Sequence, residues 1–209
     1  MNPTNNNKYK AVVFDYGGVL ETNTYGSILG VVADYLNVPL EEFKSEYFKY
    51  NHLANVGSDS WDEMFLKVVA VFDASQEARD FVLRISEERD KCNVINQELV
   101  SNISLLREKG YLVAVFSNYT KQLLEILNAN GLLDKFDKVV ISGEIGFQKP
   151  SKEAFDALFS VLELEASEVV FIDDTPKSLE SADVLGYTPV LYKNNEQLWS
   201  DLGKLGITV

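Results

Sequence analysis

Five short apolar runs constrain this chain more than any other feature of its sequence. They are KAVVFD (10–15), YLVAVFS (111–117), DKVVIS (137–142), EVVFIDD (168–174) and TPVLY (188–192). Each run is continuous rather than alternating, so a strand built from it needs cover on both faces, as parallel strands have. Helical periodicity separates the later runs. In SKEAFDALFSVLEL, the residues Phe155, Leu158, Phe159 and Leu162 recur at i, i+3, i+4 and i+7, one apolar stripe of a helix. QELVSNISLLREKG closes on Lys-Gly, a helix-stop signal. Strand alternating with helix predicts an α/β fold, a doubly wound, Rossmann-like parallel sheet.

Residues 22–91 break this rhythm. They hold no good buried strand, and their pattern predicts four helices, near 27–37, 39–51, 60–73 and 76–91. Ser60 followed by Glu63 forms a capping-box signature ahead of MFLKVVAVF. A stretch of this length is far too long for a strand-to-helix loop, which needs only a few residues. The organisation expected is therefore a core in two parts, 1–21 and 92–209, with a helical cap, 22–91, inserted between them.

Length and charge narrow the function. The 209 residues suffice for one sizeable core with a modest insertion. No apolar run approaches the length of a membrane span. The start, MNPTNNNKYK, is polar and lacks the apolar stretch of a secretory signal. The lone Cys92 fits a reducing compartment, so a cytoplasmic protein is expected. A net charge of -13 disfavours a nucleic-acid partner, because such a surface repels the phosphate backbone. A small phosphorylated substrate remains open, provided that a lysine or a metal concentrates positive charge locally. The sequence does not distinguish a monomer from a homodimer.

In a sheet of this kind, ligands bind outside the carboxyl ends of the strands. Those ends carry Asp15, then Ser117 and Asn118, then Lys149 in GFQKP, then Asp173 and Asp174. Each is weak alone: an acid ending a strand is often a turn former or helix cap, and Ser-Asn is ordinary N-cap chemistry. All four converge on one edge, however. Three carboxylates crowded together push each other's pKa values up unless a cation joins them. A hard divalent ion with oxygen ligands suits them, and Mg²⁺ is the usual choice beside phosphate. One carboxylate could then attack phosphorus while lysine, hydroxyl and backbone N–H groups hold the phosphoryl oxygens.

The set resembles the haloacid dehalogenase-like (HAD) hydrolase superfamily. VVFDYGGVL is similar to its first motif, AVFSN to the second, GFQKPSKEAF to the third and VVFIDDTPKSLESA to the fourth, in the family's order. The resemblance implies a strand order of 5-4-1-2-3 and a cap inserted after the first motif. It implies that Asp15 is the nucleophile, that Ser117 and Asn118 bind the phosphoryl group, and that Lys149 holds Asp15 and phosphate together. Asp15, the backbone carbonyl of Gly17 and Asp174 would bind Mg²⁺, with Asp173 binding directly or through water.

Gly17 departs from the family pattern. The family's phosphatases usually carry a second aspartate there, which protonates the leaving group. Three readings follow: a phosphatase whose proton comes from water or from Glu21, Thr22 or Tyr25; a dehalogenase attacking carbon; or a non-catalytic phosphoryl binder or scaffold. The phosphatase is the expected function, acting on a small metabolite such as a sugar phosphate. The dehalogenases resemble the chain less, since they need an arginine early in the cap and the first arginine here is Arg79. His52 and the aromatics Tyr47, Phe48 and Tyr50 are read as packing or surface residues of the insertion.

Overall fold

The computed structural model describes residues 8–57 and 59–208; the asparagine-rich start lies outside the described residues. In chain order the elements are β1 (Ala11–Phe14), β2 (Glu21–Asn23), α1 (Ile28–Leu36), α2 (Leu40–Val56), α3 (Trp61–Phe72), α4 (Gln76–Asp90) and β3 (Asn93–Ile95). There follow α5 (Gln97–Glu108), β4 (Leu112–Ser117), α6 (Leu123–Ala129), β5 (Lys138–Ile141), α7 (Ser142–Ile145) and α8 (Lys152–Leu162). The chain closes with β6 (Val169–Asp173), α9 (Ala182–Leu185), β7 (Thr188–Leu191) and α10 (Asn195–Lys204). No helix is long and apolar enough to cross a membrane among the described residues.

The main sheet runs β5-β4-β1-β6-β7 with every neighbouring pair parallel. That is the order 5-4-1-2-3 when only the five apolar runs are counted. Side chains of a strand alternate between faces, and this divides the core. Val12, Phe14, Val115 and Ile172 face α5, α6 and α10, where Leu99, Ile103, Leu127 and Leu198 lie. Val13, Phe116 and Phe171 face the other way, onto Phe155, Leu158 and Leu162 of α8. The predicted stripe of α8 therefore covers one face of the sheet. Phe155 stacks on Tyr187 at 4.5 Å and meets Phe116 and Phe171 edge-on. These rings form the floor beneath the strand ends.

Helices α1–α4 enclose a separate apolar cluster of Val32, Phe43, Met64, Phe65, Val68 and Val82. Ser60 and Glu63 exchange both bonds of the capping box. One expectation changes here. The second helix runs on to Val56 instead of stopping near 51, because Ala54 still finds a buried place in the cluster. The two chain crossings between core and insertion lie near 21–25 and 90–94. They pair as the antiparallel ribbon β2–β3, with Glu21 opposite Ile95 and Asn23 opposite Asn93. Its residues are half-buried or exposed, so no apolar run betrays them. Asn96, just after the ribbon, donates to the Val19 carbonyl and to Tyr192 and Asn195, fastening its base to the core. Above the sheet, α2 lies against α7.

The aromatic floor gives a direct test. Phe155→Ala should lower stability by about 3–5 kcal/mol, read as a fall in the urea midpoint with an unchanged m-value.

Candidate active site

Lys149 organises the carboxyl edge of the sheet. Its ammonium is buried and sits 2.6 Å from Asp173 Oδ2, 3.0 Å from Asp15 Oδ1 and 3.0 Å from the Phe116 carbonyl. Those three contacts use its three N–H donors. The rings of Phe116 and Phe171 approach it to 5.5 and 5.0 Å. A charge buried this deeply requires paired, hydrogen-bonded partners.

Strand register delivers those partners. The Asp15 N–H donates to the Ile172 carbonyl at 2.8 Å, so β1 and β6 release their terminal acids side by side. Asp15 Oδ1 also accepts from the Tyr16 N–H, at 2.8 Å, and among the described residues no group hydrogen-bonds its Oδ2. Asp173 is fully buried, and both of its oxygens are engaged, Oδ2 by Lys149 and Oδ1 by the Thr175 N–H. Burial, then the Asp15 charge, push its pKa up to about 6 against the opposing pull of Lys149. Asp174 is raised by the same two causes. Its carboxylate lies against Gly18, whose φ is +75° and where any Cβ would overlap it.

Asp15, Asp173 and Asp174 each bring one carboxylate oxygen within 4.8 Å of the others. Three acids face one ammonium, and the raised pKa values of Asp173 and Asp174 reflect burial first and the neighbouring Asp15 charge second. An all-oxygen, carboxylate-rich donor set of this kind fits Mg²⁺. Asp15 and Asp174 have oxygens to offer directly, whereas Asp173 is occupied in holding Lys149.

Ser117 ends β4 and lines the same cleft as Asp15, Gly17 and Lys149. Asn118 lines it too, but its side chain is committed elsewhere. Asn118 Oδ1 accepts from the Lys149 N–H at 2.7 Å, and its Nδ2 donates to the Lys149 carbonyl at 3.0 Å. The amide expected on a phosphoryl group instead clamps the backbone of the lysine. Gly17 has no atom within 4 Å of where a Cβ would stand, and its φ lies outside the left-handed region.

The groups named as alternative proton sources are not in this cleft. Glu21 is half-buried on the side of Arg89 and Asp90; burial raises its pKa and leaves Oε1 without a hydrogen-bond partner. Thr22 lines a different cleft, with Glu98 and Tyr192. Tyr25 packs on the helical cluster, and His52 is exposed. Conversely, α2 supplies residues that the periodicity concealed. Phe48, 61 % exposed, joins Asn51 and Asn55 in lining a cleft of about 460 Å³ over Asp15. Their spacing at i, i+3 and i+7 was a legible helical stripe, but polar residues on such a stripe carry no core signal.

Comparison with known proteins agrees with this geometry. The family model of the haloacid dehalogenase-like hydrolases matches residues 9–186. The chain belongs to that family. A ribulose-1,5-bisphosphate 5-phosphatase of Halopiger xanaduensis is 33% identical over 94 residues, covering 44% of this chain and 39% of that protein. The mouse bifunctional epoxide hydrolase 2 is 22% identical over 69% of this chain and 27% of its own length. The chain thus spans well under half the length of these relatives. Among solved structures, a HAD-family enzyme from Bacteroides thetaiotaomicron superposes with a TM-score of 0.72 at 22% identity, covering 93% of this chain and 98% of its own.

Protons and metal should compete for these acids, since a bound cation favours their ionised forms. Mg²⁺ should raise the melting temperature at pH 7.5, and that gain should shrink at pH 5, because the raised pKa values of Asp173 and Asp174 let protons compete with the cation as pH falls. Thermal melts with Mg²⁺ and with EDTA at both pH values check this.

Proposed function

We propose that the protein is a Mg²⁺-dependent phosphatase that acts on a small phosphorylated metabolite through an aspartyl-phosphate on Asp15. The observation that carries the reading is the asymmetry of Asp15: Oδ1 is held by Lys149 and the Tyr16 N–H, while Oδ2 has no hydrogen-bond partner among the described residues. A carboxylate oriented in this way is a prepared nucleophile. Residues 22–91 serve as the cap, between the two core parts at 1–21 and 92–209. The phosphatase name of the Halopiger relative supports the substrate class.

Asp15 Oδ2 attacks phosphorus, and the bond to the leaving oxygen breaks. Lys149 holds the attacking carboxylate in place, and the Ser117 hydroxyl offers a hydrogen bond to a phosphoryl oxygen. Asn118 acts through Lys149, by fixing its backbone. Asp15, Asp174 and the Gly17 carbonyl would hold the Mg²⁺, with Asp173 in support; when bound it supplies positive charge to the phosphoryl oxygens. Water then cleaves the acyl phosphate and regenerates the Asp15 carboxylate.

Among the described residues lining the cleft, no carboxylic acid other than Asp15 and no histidine stands ready to protonate the leaving oxygen. Wild type should therefore favour aryl, acyl and anomeric sugar phosphates, whose leaving oxygens are already acidic. General acid catalysis contributes about 10²–10⁴-fold. Gly17→Asp, which meets neither steric overlap nor a left-handed φ, should accelerate alkyl phosphates more than aryl ones. The measurement is the ratio of kcat/KM for the two classes within each protein.

Asp15→Asn keeps the shape and removes the nucleophile. It should abolish phosphate release from a panel of phosphorylated metabolites assayed with Mg²⁺. A variant retaining wild-type turnover would refute the assignment of Asp15.

A further inference from the structure

The cleft over Asp15 does not end at the catalytic acids. Asn51, Asn55, Asn118 and Tyr119 also line a second cavity of about 250 Å³, which continues between α2, α4 and the end of β4. A substrate phosphoryl at Asp15 would extend its leaving portion toward this chamber. Its walls are rich in donors. Arg89, from the last turn of α4, is its one cationic side chain among the described residues.

The local hydrogen bonds set the polarity of that wall. The Tyr47 hydroxyl gives its proton to Asn51 Oδ1 at 3.0 Å. That leaves the N–H₂ of Asn51 for the cavity. Burial pushes the Tyr119 pKa up to about 12, so its phenol stays protonated and able to donate. Arg89 lies 5.3 Å over the Trp61 ring and is anchored through its backbone carbonyl, which accepts from Asn23 Nδ2 at 2.9 Å. Among the described residues its guanidinium makes one ion-pair contact, a long 3.5 Å to Asp90, and Glu21 leaves a buried oxygen without a hydrogen bond. The planar donor fork is thus positioned without being satisfied. In a chain of net charge -13, such a group is a specific attractor for an anion.

Resting on the phosphatase reading above, we propose that Arg89, with Asn51 and Tyr119, recognises a second anionic group on the substrate's leaving portion. That group is a carboxylate or a second phosphoryl. The substrate class is then a phosphorylated metabolite with two separated anionic ends. Arg89 is a specificity residue and does not touch the reacting phosphorus. A guanidinium fork suits either anion through two parallel N–H···O bonds.

The test pairs each anionic probe with a neutral one of the same shape. Substrates are the ortho, meta and para carboxyphenyl phosphates against their carboxamides, and sugar bisphosphates against monophosphates. A binding arm uses calorimetry with Mg²⁺ and ω-phosphonocarboxylic acids of two to six carbons, against the corresponding phosphonoamides. Wild type should prefer at least one anionic series about tenfold or more. Arg89→Gln should lower kcat/KM and affinity for that series by about 10–100-fold, as expected for a lost charge-assisted contact, and leave the neutral probes unchanged. Arg89→Lys should recover part of the loss, which also guards against a Gln variant that fails to fold. A preference for carboxyphenyl phosphates or for bisphosphates tells which anion is bound. Equal handling of anionic and neutral probes by wild type would overturn the proposal. So would a parallel loss on both in Arg89→Gln, the mark of a merely structural counter-ion to Glu21 and Asp90. If wild type binds the phosphonates but hydrolyses no phosphate, the phosphatase reading fails, and the binding preference alone decides the role of Arg89.

Discussion

The buried ammonium of Lys149 is the constraint around which the rest of the site is arranged. A fully desolvated cation is tolerable only with its donors satisfied and its charge opposed. Phe116, Asp15 and Asp173 meet that need from three parallel strand ends. Because β1 lies between β4 and β6, the sheet order brings these groups together. Asn118 closes the arrangement by gripping both backbone polar groups of the lysine. Removing one member would leave an unpaired charge in an apolar floor of phenylalanines, so structure and chemistry depend on the same contacts.

The two neighbouring glycines divide the labour of the first motif. Gly18 is required by shape: its left-handed backbone and missing Cβ make room for the Asp174 carboxylate. Gly17 is not required in that sense, since open space surrounds it and its backbone suits any residue. Its consequence is chemical. Asp15 is the one carboxylic acid among the described residues lining the cleft, so on the phosphatase reading proposed above the substrate's own leaving group would bear the burden of departure.

The helical insertion lines the cleft from the side opposite the strand ends. It has its own apolar cluster, meets the core through α2 and α7, and is tied at its root by the β2–β3 ribbon and Asn96. One stripe of α2 lines the cleft, and the end of α4 lines the cavity that adjoins it. Their amides and guanidinium contrast with the carboxylates below, so the two walls would orient a substrate by charge.

Much of this architecture was legible from residues 10–15, 111–117, 137–142, 168–174 and 188–192, because continuous apolar runs alternating with helical stripes admit few arrangements besides a doubly wound sheet. The catalytic candidates were legible too, since Asp15, Ser117, Lys149, Asp173 and Asp174 stand at fixed offsets from those runs. Periodicity reports burial along one element, and the strand ends inherit its clarity. What the sequence could not carry was decided by contacts between distant segments. The ribbon β2–β3 is half-exposed and has no apolar signature. The clamp of Asn118 on Lys149 joins residues 31 apart in the chain. Arg89 reaches the cavity that adjoins the cleft only because α4 packs beside α3 and α1. Local pattern determined which elements form and which polar groups sit at their ends; tertiary packing alone decided which of those groups meet, because hydrogen bonds and ion pairs depend on distances in space that spacing along the chain does not encode.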